Sequence, residues 1–199
     1  MTTYFGAMHW SQSTRAWFGV FGTLPHGRAL LRRELTWLGV SPEDAAKDIV
    51  AKCAEWKIEL RSTMLDPKQF PQFDEPGETV SEIFRRGGVT VRRASKDRIA
   101  SWSRLRSWLQ VRDWPEGVRG PALVIHADCP IFIRLLPTLI ENPSDRDDVL
   151  ETPDEYPARA ASYFVMSRPM PLREDKEPFP KGSLGYEVEE MRRAALADV

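Results

Sequence analysis

The stretch TYFGAMHW, residues 3–10, is followed by RAWFGVFGTL at 15–24 and GRALLRRELTWL at 27–38, and these segments decide the fold. Aromatic and branched aliphatic residues dominate all of them, as is typical of strands. The connections SQST and PHG between them are short and have the composition of turns. The segments therefore predict a meander of three adjacent antiparallel strands.

Helix and strand patterns alternate after this meander. Ser41 and Pro42 predict the start of a first helix, because serine caps helix N-termini and proline is favoured in the first turn. The later segments are a strand at 62–66, a helix at 78–86, a strand at 89–94, a helix at 95–113, a strand at 122–128, a helix at 129–142 broken near Pro137, and a helix at roughly 153–167. This order predicts an α/β, RNase H-like fold, in which a mixed central sheet of antiparallel and added parallel strands is flanked by helices.

The chain divides in composition near residue 168. We expect residues 1–168 to form the RNase H-like domain, and 169–199 to form a Pro-rich linker and a short tail helix. The tail carries a narrow apolar stripe of Leu184, Val188, Met191 and Ala195. A helix this short is marginal in isolation, so it needs a surface on which to dock.

Composition and motifs exclude several classes of function. Charged residues make up 29% of the chain and the formal net charge is −1, which is typical of a globular protein. Cys53 and Cys129 lie in apolar segments and are expected to be buried thiols. The sequence has no Gly-Lys pair for an ATP phosphate loop and no serine-nucleophile, dinucleotide or Cys-His zinc motif. It also has no apolar span or leader pattern, so we expect a cytoplasmic protein with no membrane partner.

Asp66 ends the predicted strand STMLD and is followed directly by Pro67. RNase H-like folds place metal-binding carboxylates at strand ends and on a late helix, where two divalent ions can clamp a phosphodiester. Aspartate before proline is also ordinary turn chemistry. The residues alone leave both interpretations open, a metal ligand or the first residue of a turn.

Several longer stretches, in order and at similar spacing, carry a family resemblance. They are YFGAMHWSQS, LDP, GETVSEIFRRGGVTVRRASKDRIASWSRLRSWL and PALVIHADCPIFIRLLPTLIENPSDRDDVLETPDEYPARAASYFVMSRP. From about Thr3 to Pro169, the chain resembles the C-terminal nuclease domain of tailed-phage terminase large subunits, the genome-packaging motors. The resemblance implies that Asp66 is a metal ligand. It also implies an ATPase domain, supplied by the same gene or in trans.

The expected partners of Asp66 are replaced. The family has Asp-Trp-Gly in its first strand where this chain has His9-Trp10-Ser11. In the last helix, DEYPARAASY, Arg159 stands at the family's metal-binding aspartate, while Tyr163 matches. Tyr156 and Ser162 stand at its histidine and arginine. An arginine beside Asp66 is expected to form an ion pair with it and to compete with Mg²⁺.

These replacements predict a two-metal nuclease site that is degenerate and needs no cofactor. The alternative is an active endonuclease that uses Mg²⁺ or Mn²⁺, with Asp66, His9 and Arg159 at the catalytic position. Its metal ligands would be Asp66 and His9 with a substitute carboxylate from Asp148, Asp154 or Glu155. A further alternative is a non-catalytic interaction module of the packaging machinery.

A basic segment runs from Arg85 to Arg112. Such a segment suits salt-dependent phosphate contacts, so we predict binding to double-stranded DNA. The predicted DNA-binding residues are Arg85, Arg86, Arg92, Arg93, Lys96, Arg98, Arg104 and Arg106. Trp102 and Trp108 fall on the apolar face and are expected to be core residues.

Residues 141–155 are rich in acidic side chains. The alternative to DNA binding is that the cations of the basic segment form ion pairs with these acids within the protein. The resemblance names further partners for a phage or prophage protein: the terminase ATPase domain, the small terminase subunit or the portal.

Overall fold

The computed structural model describes residues 2–71, 77–152, 154–171, 182–184, 186–188 and 191. The predicted meander is present as β1 (Tyr4–His9), β2 (Arg15–Thr23) and β3 (Ala29–Leu38). β1 pairs antiparallel with β2, with His9 opposite Trp17, and β2 pairs antiparallel with β3. The sequence prediction for this part of the fold is confirmed.

The next segment adds two parallel strands beside β1. Helix α1 (Pro42–Glu55) begins at Ser41, whose side chain accepts a hydrogen bond from the Asp44 N–H. β4 (Leu60–Leu65) then pairs parallel with β1. Helix α2 (Val80–Arg86) begins with a capping box between Thr79 and Glu82, and β5 (Val91–Arg93) pairs parallel with β4.

The second half of the chain supplies the strand at the other edge of the sheet and the helices that cover its second face. Its elements are α3 (Arg98–Leu109), β6 (Arg112–Asp113), β7 (Arg119–Gly120), β8 (Leu123–Ile125), α4 (Pro130–Leu135), β9 (Glu141–Asn142), β10 (Asp145–Val149) and α5 (Tyr156–Met166). β8 pairs parallel with β3, so the six-stranded sheet has the order β5-β4-β1-β2-β3-β8. The predicted mixed α/β sheet is confirmed.

Four details differ from the sequence prediction. The acidic segment forms the β9–β10 hairpin rather than a loop, and α5 begins at Tyr156 rather than near residue 153. Helix α4 ends at Leu135 with a 3₁₀ turn after it, so the predicted break near Pro137 is present, but the helix does not resume to residue 142, because Glu141–Asn142 forms β9. Helical spacing places Val50 and Ile99 on inner faces, but they are 45% and 37% exposed, because the sheet covers a narrower stripe of each helix.

The sheet separates two hydrophobic cores. One core lies against α3 and α5, where Phe164 stacks on Phe21 at 4.2 Å between ring centroids. Trp102 and Trp108 are buried in the same core, as predicted. The other core lies against α1 and α2 and contains Cys53. Both faces of the sheet are thus covered, which is the usual requirement for parallel strands.

Both cysteines are free and buried, as predicted. Burial raises the pKa of Cys53 to about 11 and, together with the nearby Glu34 carboxylate, raises the pKa of Cys129 to about 12. Neither thiol is therefore ionised near neutral pH.

Glu34 on β3 fixes the position of α4. Its carboxylate accepts the Ile131 N–H at 2.6 Å and the Phe132 N–H at 3.1 Å. It also accepts the indole N–H of Trp17 at 2.8 Å. Cys129, which precedes α4, makes no side-chain cap of its own. The first turn of α4 is therefore capped from the sheet.

Most of the predicted linker, residues 172–181, lies outside the described residues. In the tail, positions 184, 186–188 and 191 are helical, and Leu184, Val188 and Met191 are 80%, 55% and 65% exposed. Among the described residues, every helix is too short or too polar to cross a membrane.

Candidate functional site

Asp66 lies directly after β4, and it is 6% exposed. Its Oδ1 accepts the backbone N–H of Lys68 at 2.9 Å, which caps a 3₁₀ turn at Pro67–Gln69. Its Oδ2 accepts a hydrogen bond from the Tyr163 hydroxyl at 2.8 Å. Asp66 is therefore a turn residue, as the Asp-Pro pattern allowed, and also the centre of a buried polar contact between β4 and α5.

His9 is placed next to Asp66 by the sheet. Met8 pairs with Leu65 across the parallel strands β1 and β4, so His9 and Asp66 follow at neighbouring strand ends. The Nδ1 atom of His9 is buried and has no hydrogen-bond partner among the described residues. Burial lowers the pKa of His9 below its usual value of 6.5; the Asp66 charge opposes this effect and the Lys68 charge adds to it. His9 is thus expected to be neutral at neutral pH.

Arg159 does not form the ion pair with Asp66 that was expected. Its Nη1 donates to Glu155 Oε1 at 3.1 Å, and its Nε donates to the Tyr163 hydroxyl at 3.1 Å. Glu155 and Arg159 are four residues apart on one helical face, which favours their pairing. The ion-pair expectation is therefore wrong, and Arg159 reaches Asp66 through the Tyr163 hydroxyl.

Tyr163 was matched in the sequence, but its contact with Asp66 was not foreseen. It is 5% exposed, and burial together with the Asp66 charge raises the pKa of its hydroxyl well above the usual value. The hydroxyl therefore stays protonated and donates to Asp66. The contact joins residues 97 positions apart, so no local sequence pattern indicates it.

Arg98 is the centre of a second polar cluster. Its guanidinium donates to Asp148 at 2.7 Å, to the two oxygens of Glu155 at 3.2 and 3.1 Å, and to the Val149 carbonyl at 2.7 Å. Burial raises the pKa of Glu155, and the Arg98 charge opposes that shift. Burial also acts to raise the pKa of Asp148, but hydrogen bonds from the Val149 N–H and Arg98 lower it. This cluster ties α3 to β10 and α5.

The sheet brings Asp66 and His9 together, but the candidate substitute carboxylates do not join them as free ligands. Asp148 is bound to Arg98, Glu155 is bound to Arg98 and Arg159, and Asp154 is exposed. In the described part of the chain, no group of three or more acidic, histidine or cysteine side chains is close enough to hold a metal ion. Both oxygens of Asp66 are already hydrogen-bonded. These residues do not fit a pair of hard divalent ions, which need several free carboxylate oxygens.

Two cavities share Asp66, Lys68 and Arg159 in their walls. The Trp102 cavity has a volume of about 280 Å³ and is also lined by Lys96, Arg98 and Trp102. The His9 cavity has a volume of about 410 Å³ and is also lined by His9 and Glu155. Four cationic side chains thus stand around Asp66 in the Trp102 cavity, where a two-metal site would need acids.

The predicted DNA-binding residues separate into two groups. Those with exposed side chains on or next to the edge strand β5 are Arg85, Arg92, Arg93 and Lys96, and we call this set the β5 basic surface. The guanidinium groups of Arg85 and Arg93 lie 5.3 and 5.0 Å from the ring centroid of Phe70.

Arg85 and Arg93 each donate one hydrogen bond of 3.4 Å to a backbone carbonyl, and the other four residues are engaged more closely by their own chain. Arg86 pairs with Glu78 at 2.7 Å, Arg98 lies in the cluster described above, Arg104 donates to the Arg168 carbonyl, and Arg106 donates to the Asp147 carbonyl at 3.0 Å. The acidic segment thus takes up part of the basic charge, which is the alternative left open by the sequence.

No family model matches the chain, and no curated protein matches it in sequence. Solved structures do match. The large terminase of a thermophilic bacteriophage superposes with a TM-score of 0.62 at 13% identity, over 83% of this chain and 39% of that one. The P22 large terminase nuclease domain superposes with a TM-score of 0.62 at 12% identity, over 83% of this chain and 81% of that one.

The chain has the RNase H-like fold of a large-terminase nuclease domain. The predicted resemblance is confirmed at the level of the fold. The chain spans 39% of the length of the thermophilic phage's large terminase, so the activity of that whole protein is not transferred with the fold.

Proposed function

We propose that this chain is a nuclease-domain homologue of a phage or prophage terminase large subunit, which binds duplex DNA during packaging and has lost two-metal cleavage. The observation that carries the proposal is the set of side chains around the Asp66 carboxylate. Tyr163 occupies one of its oxygens, and Lys68, Lys96, Arg98 and Arg159 line the same cavity. A divalent cation entering there would meet positive charge and a carboxylate already in use.

The β5 basic surface supports the DNA-binding part of the proposal. Its four cations are exposed, and the guanidinium groups of Arg85 and Arg93 both lie against the Phe70 ring. Contacts of this kind bind phosphates without reading base sequence. The partners proposed with it are those of a packaging complex: an ATPase domain, a small terminase subunit or a portal.

A nicking assay tests the loss of cleavage. Supercoiled plasmid is incubated with the folded protein in Mg²⁺ and, separately, in Mn²⁺, with Asp66→Ala beside the wild type. We expect no nicking that depends on Asp66 in either metal. Nicking by the wild type that disappears in Asp66→Ala would refute the loss of cleavage.

Fluorescence anisotropy with a short duplex tests DNA binding. Arg92→Gln is expected to weaken binding and to reduce the slope of log affinity against log salt by about 0.9, the value for one lost phosphate contact. Arg119→Gln is the matched control, since Arg119 is an exposed arginine on the β6–β7 hairpin. Equal slopes for both variants would contradict a role for the β5 basic surface.

One observation favours the alternative of an active endonuclease. The buried Nδ1 of His9 has no partner in the described residues and lies beside Asp66, in a cavity that also contains Glu155. Imidazole suits Mn²⁺ better than Mg²⁺, so this alternative predicts nicking in Mn²⁺ alone. The plasmid assay separates the two functions directly.

A further inference from the structure

The wall of the Trp102 cavity includes two lysines whose amino groups have no partner among the described residues. Lys68 and Lys96 line it, and neither amino group forms a hydrogen bond or ion pair with any residue the structure describes. Arg98 and Arg159, in the same wall, are held in place by Glu155. The cavity thus combines two unpaired ammonium groups with two fixed guanidinium groups.

The charge balance of this cavity favours an anion. Arg98 and Arg159 pair with Asp148, Glu151 and Glu155, and none of these carboxylates lines the Trp102 cavity. Asp66 contributes the one negative charge of the lining, and both of its oxygens accept hydrogen bonds, from Tyr163 and the Lys68 N–H. With Lys68, Lys96, Arg98 and Arg159 in the same wall, the lining carries more positive than negative charge, which attracts anions and repels divalent cations.

We propose that the Trp102 cavity binds a phosphoryl group directly, with Lys68 and Lys96 as its charge partners. Lysine binds phosphate as a point charge with rotatable donors, which suits a cavity whose guanidinium groups are fixed by other contacts. The ammonium and guanidinium groups would then occupy the region in which a two-metal nuclease holds its metal ions. The phosphoryl group comes either from the DNA backbone or from a free phosphate ester, and only the first source rests on the proposed function.

The first experiment measures binding of inorganic phosphate and of dAMP by ³¹P line broadening. Each of Lys68→Met and Lys96→Met is expected to reduce the affinity by about tenfold, the usual effect of losing a charge-assisted hydrogen bond. Lys47→Met is the matched control, because Lys47 is an exposed lysine on α1 that pairs with Asp44. Lys68→Arg keeps the charge and is expected to retain most of the affinity.

Circular dichroism and thermal unfolding verify that each variant folds. Absence of phosphate binding by the wild type would overturn the proposal, and so would equal binding by Lys68→Met, Lys96→Met and Lys47→Met. Stabilisation of the wild type by Mn²⁺ but not by phosphate would also overturn it, because the cavity would then be a cation site.

Duplex binding, measured in the same variants, distinguishes the source of the phosphoryl group. A parallel loss of duplex affinity in Lys68→Met and Lys96→Met assigns the cavity to the DNA backbone. Unchanged duplex affinity with lost dAMP affinity assigns it to a free phosphate ester. If the wild type binds phosphate but no duplex, the proposed DNA-binding function fails and the phosphate site stands.

Discussion

The hydroxyl of Tyr163 donates a 2.8 Å hydrogen bond to Asp66 Oδ2, although the two residues lie 97 positions apart in the sequence. The same hydroxyl accepts a hydrogen bond from Arg159 Nε at 3.1 Å. A protonated tyrosine thus separates a carboxylate and a guanidinium group that would otherwise pair. The arrangement gives the buried Asp66 carboxylate a hydrogen-bond donor, while Arg159 pairs with Glu155.

Replacing Tyr163 tests the stability contributed by this contact. Tyr163→Phe leaves a buried carboxylate oxygen without its donor, so we expect the free energy of unfolding to fall by about 1–3 kcal/mol. Urea unfolding of both proteins measures the difference. Tyr156→Phe is the matched control: Tyr156 is buried on the same helix, and no hydrogen bond of its hydroxyl is seen in the described residues. Equal effects of the two variants would show that the Asp66 contact contributes nothing specific.

Arg98 is expected to act on stability rather than on DNA affinity. Its side chain is 20% exposed and joins Asp148 to Glu155. Arg98→Met would leave Asp148 without its cation and Glu155 with Arg159 as its remaining partner, so we expect a loss of about 1.5–3 kcal/mol in the free energy of unfolding. Arg106→Met, on the exposed side of α3, is expected to cost about 1 kcal/mol or less.

A double variant checks the cause of that loss. If the unpaired charge is responsible, adding Asp148→Asn to Arg98→Met should recover part of the stability, because the carboxylate that lost its cation is removed. A double variant less stable than the sum of the single changes would argue against this explanation.

The lowered pKa of His9 predicts a pH-dependent contribution to stability. The unfolded chain protonates His9 near pH 6.5, and the folded chain does so at lower pH. Between these two values the unfolded state binds more protons, so stability rises with pH. The contribution is complete above about pH 6.5 and is lost as the pH falls through the folded pKa. Chemical unfolding between pH 4 and pH 8 measures it, and His9→Gln should flatten the slope.

Restoring carboxylates at two positions should restore metal binding. His9→Asp with Arg159→Asp would place acids near Asp66 and remove a cation from both cavities. We expect Mn²⁺ to raise the melting temperature of this double variant, since metal bound only by the folded state stabilises it. The wild type and Arg159→Ala should show no such increase. An equal increase in all three proteins would place the metal elsewhere.

The sheet was predictable because its strands are defined by local patterns, aromatic and branched residues between short turns. The β9–β10 hairpin was not, because Asp145, Asp147 and Asp148 disfavour strands, and pairing with β9 together with contacts from α3 holds them. The partners of Arg98 lie 50 and 57 residues away in the chain, so no local sequence pattern predicts them.

At the site, the sequence indicated Asp66 and the replacement at Arg159, but it misplaced the partner of that arginine. The nearest competing carboxylate was Glu155, four residues earlier on the same helix. Helical spacing of this kind is readable from sequence and outweighs a contact across the fold. The role of Tyr163 depended on the packing of α5 against β4, which only the assembled structure reveals.

The capping of α4 by Glu34 has a consequence for the order of folding. This helix has six residues, too few to persist alone, and the acceptor for the Ile131 N–H lies 97 residues earlier, on β3. Its first amides are therefore protected from exchange with solvent deuterium only when the meander has already formed. Protection of Ile131 and Phe132 in a hydrogen-exchange experiment would report completion of the sheet, and a newly synthesised chain would acquire it late.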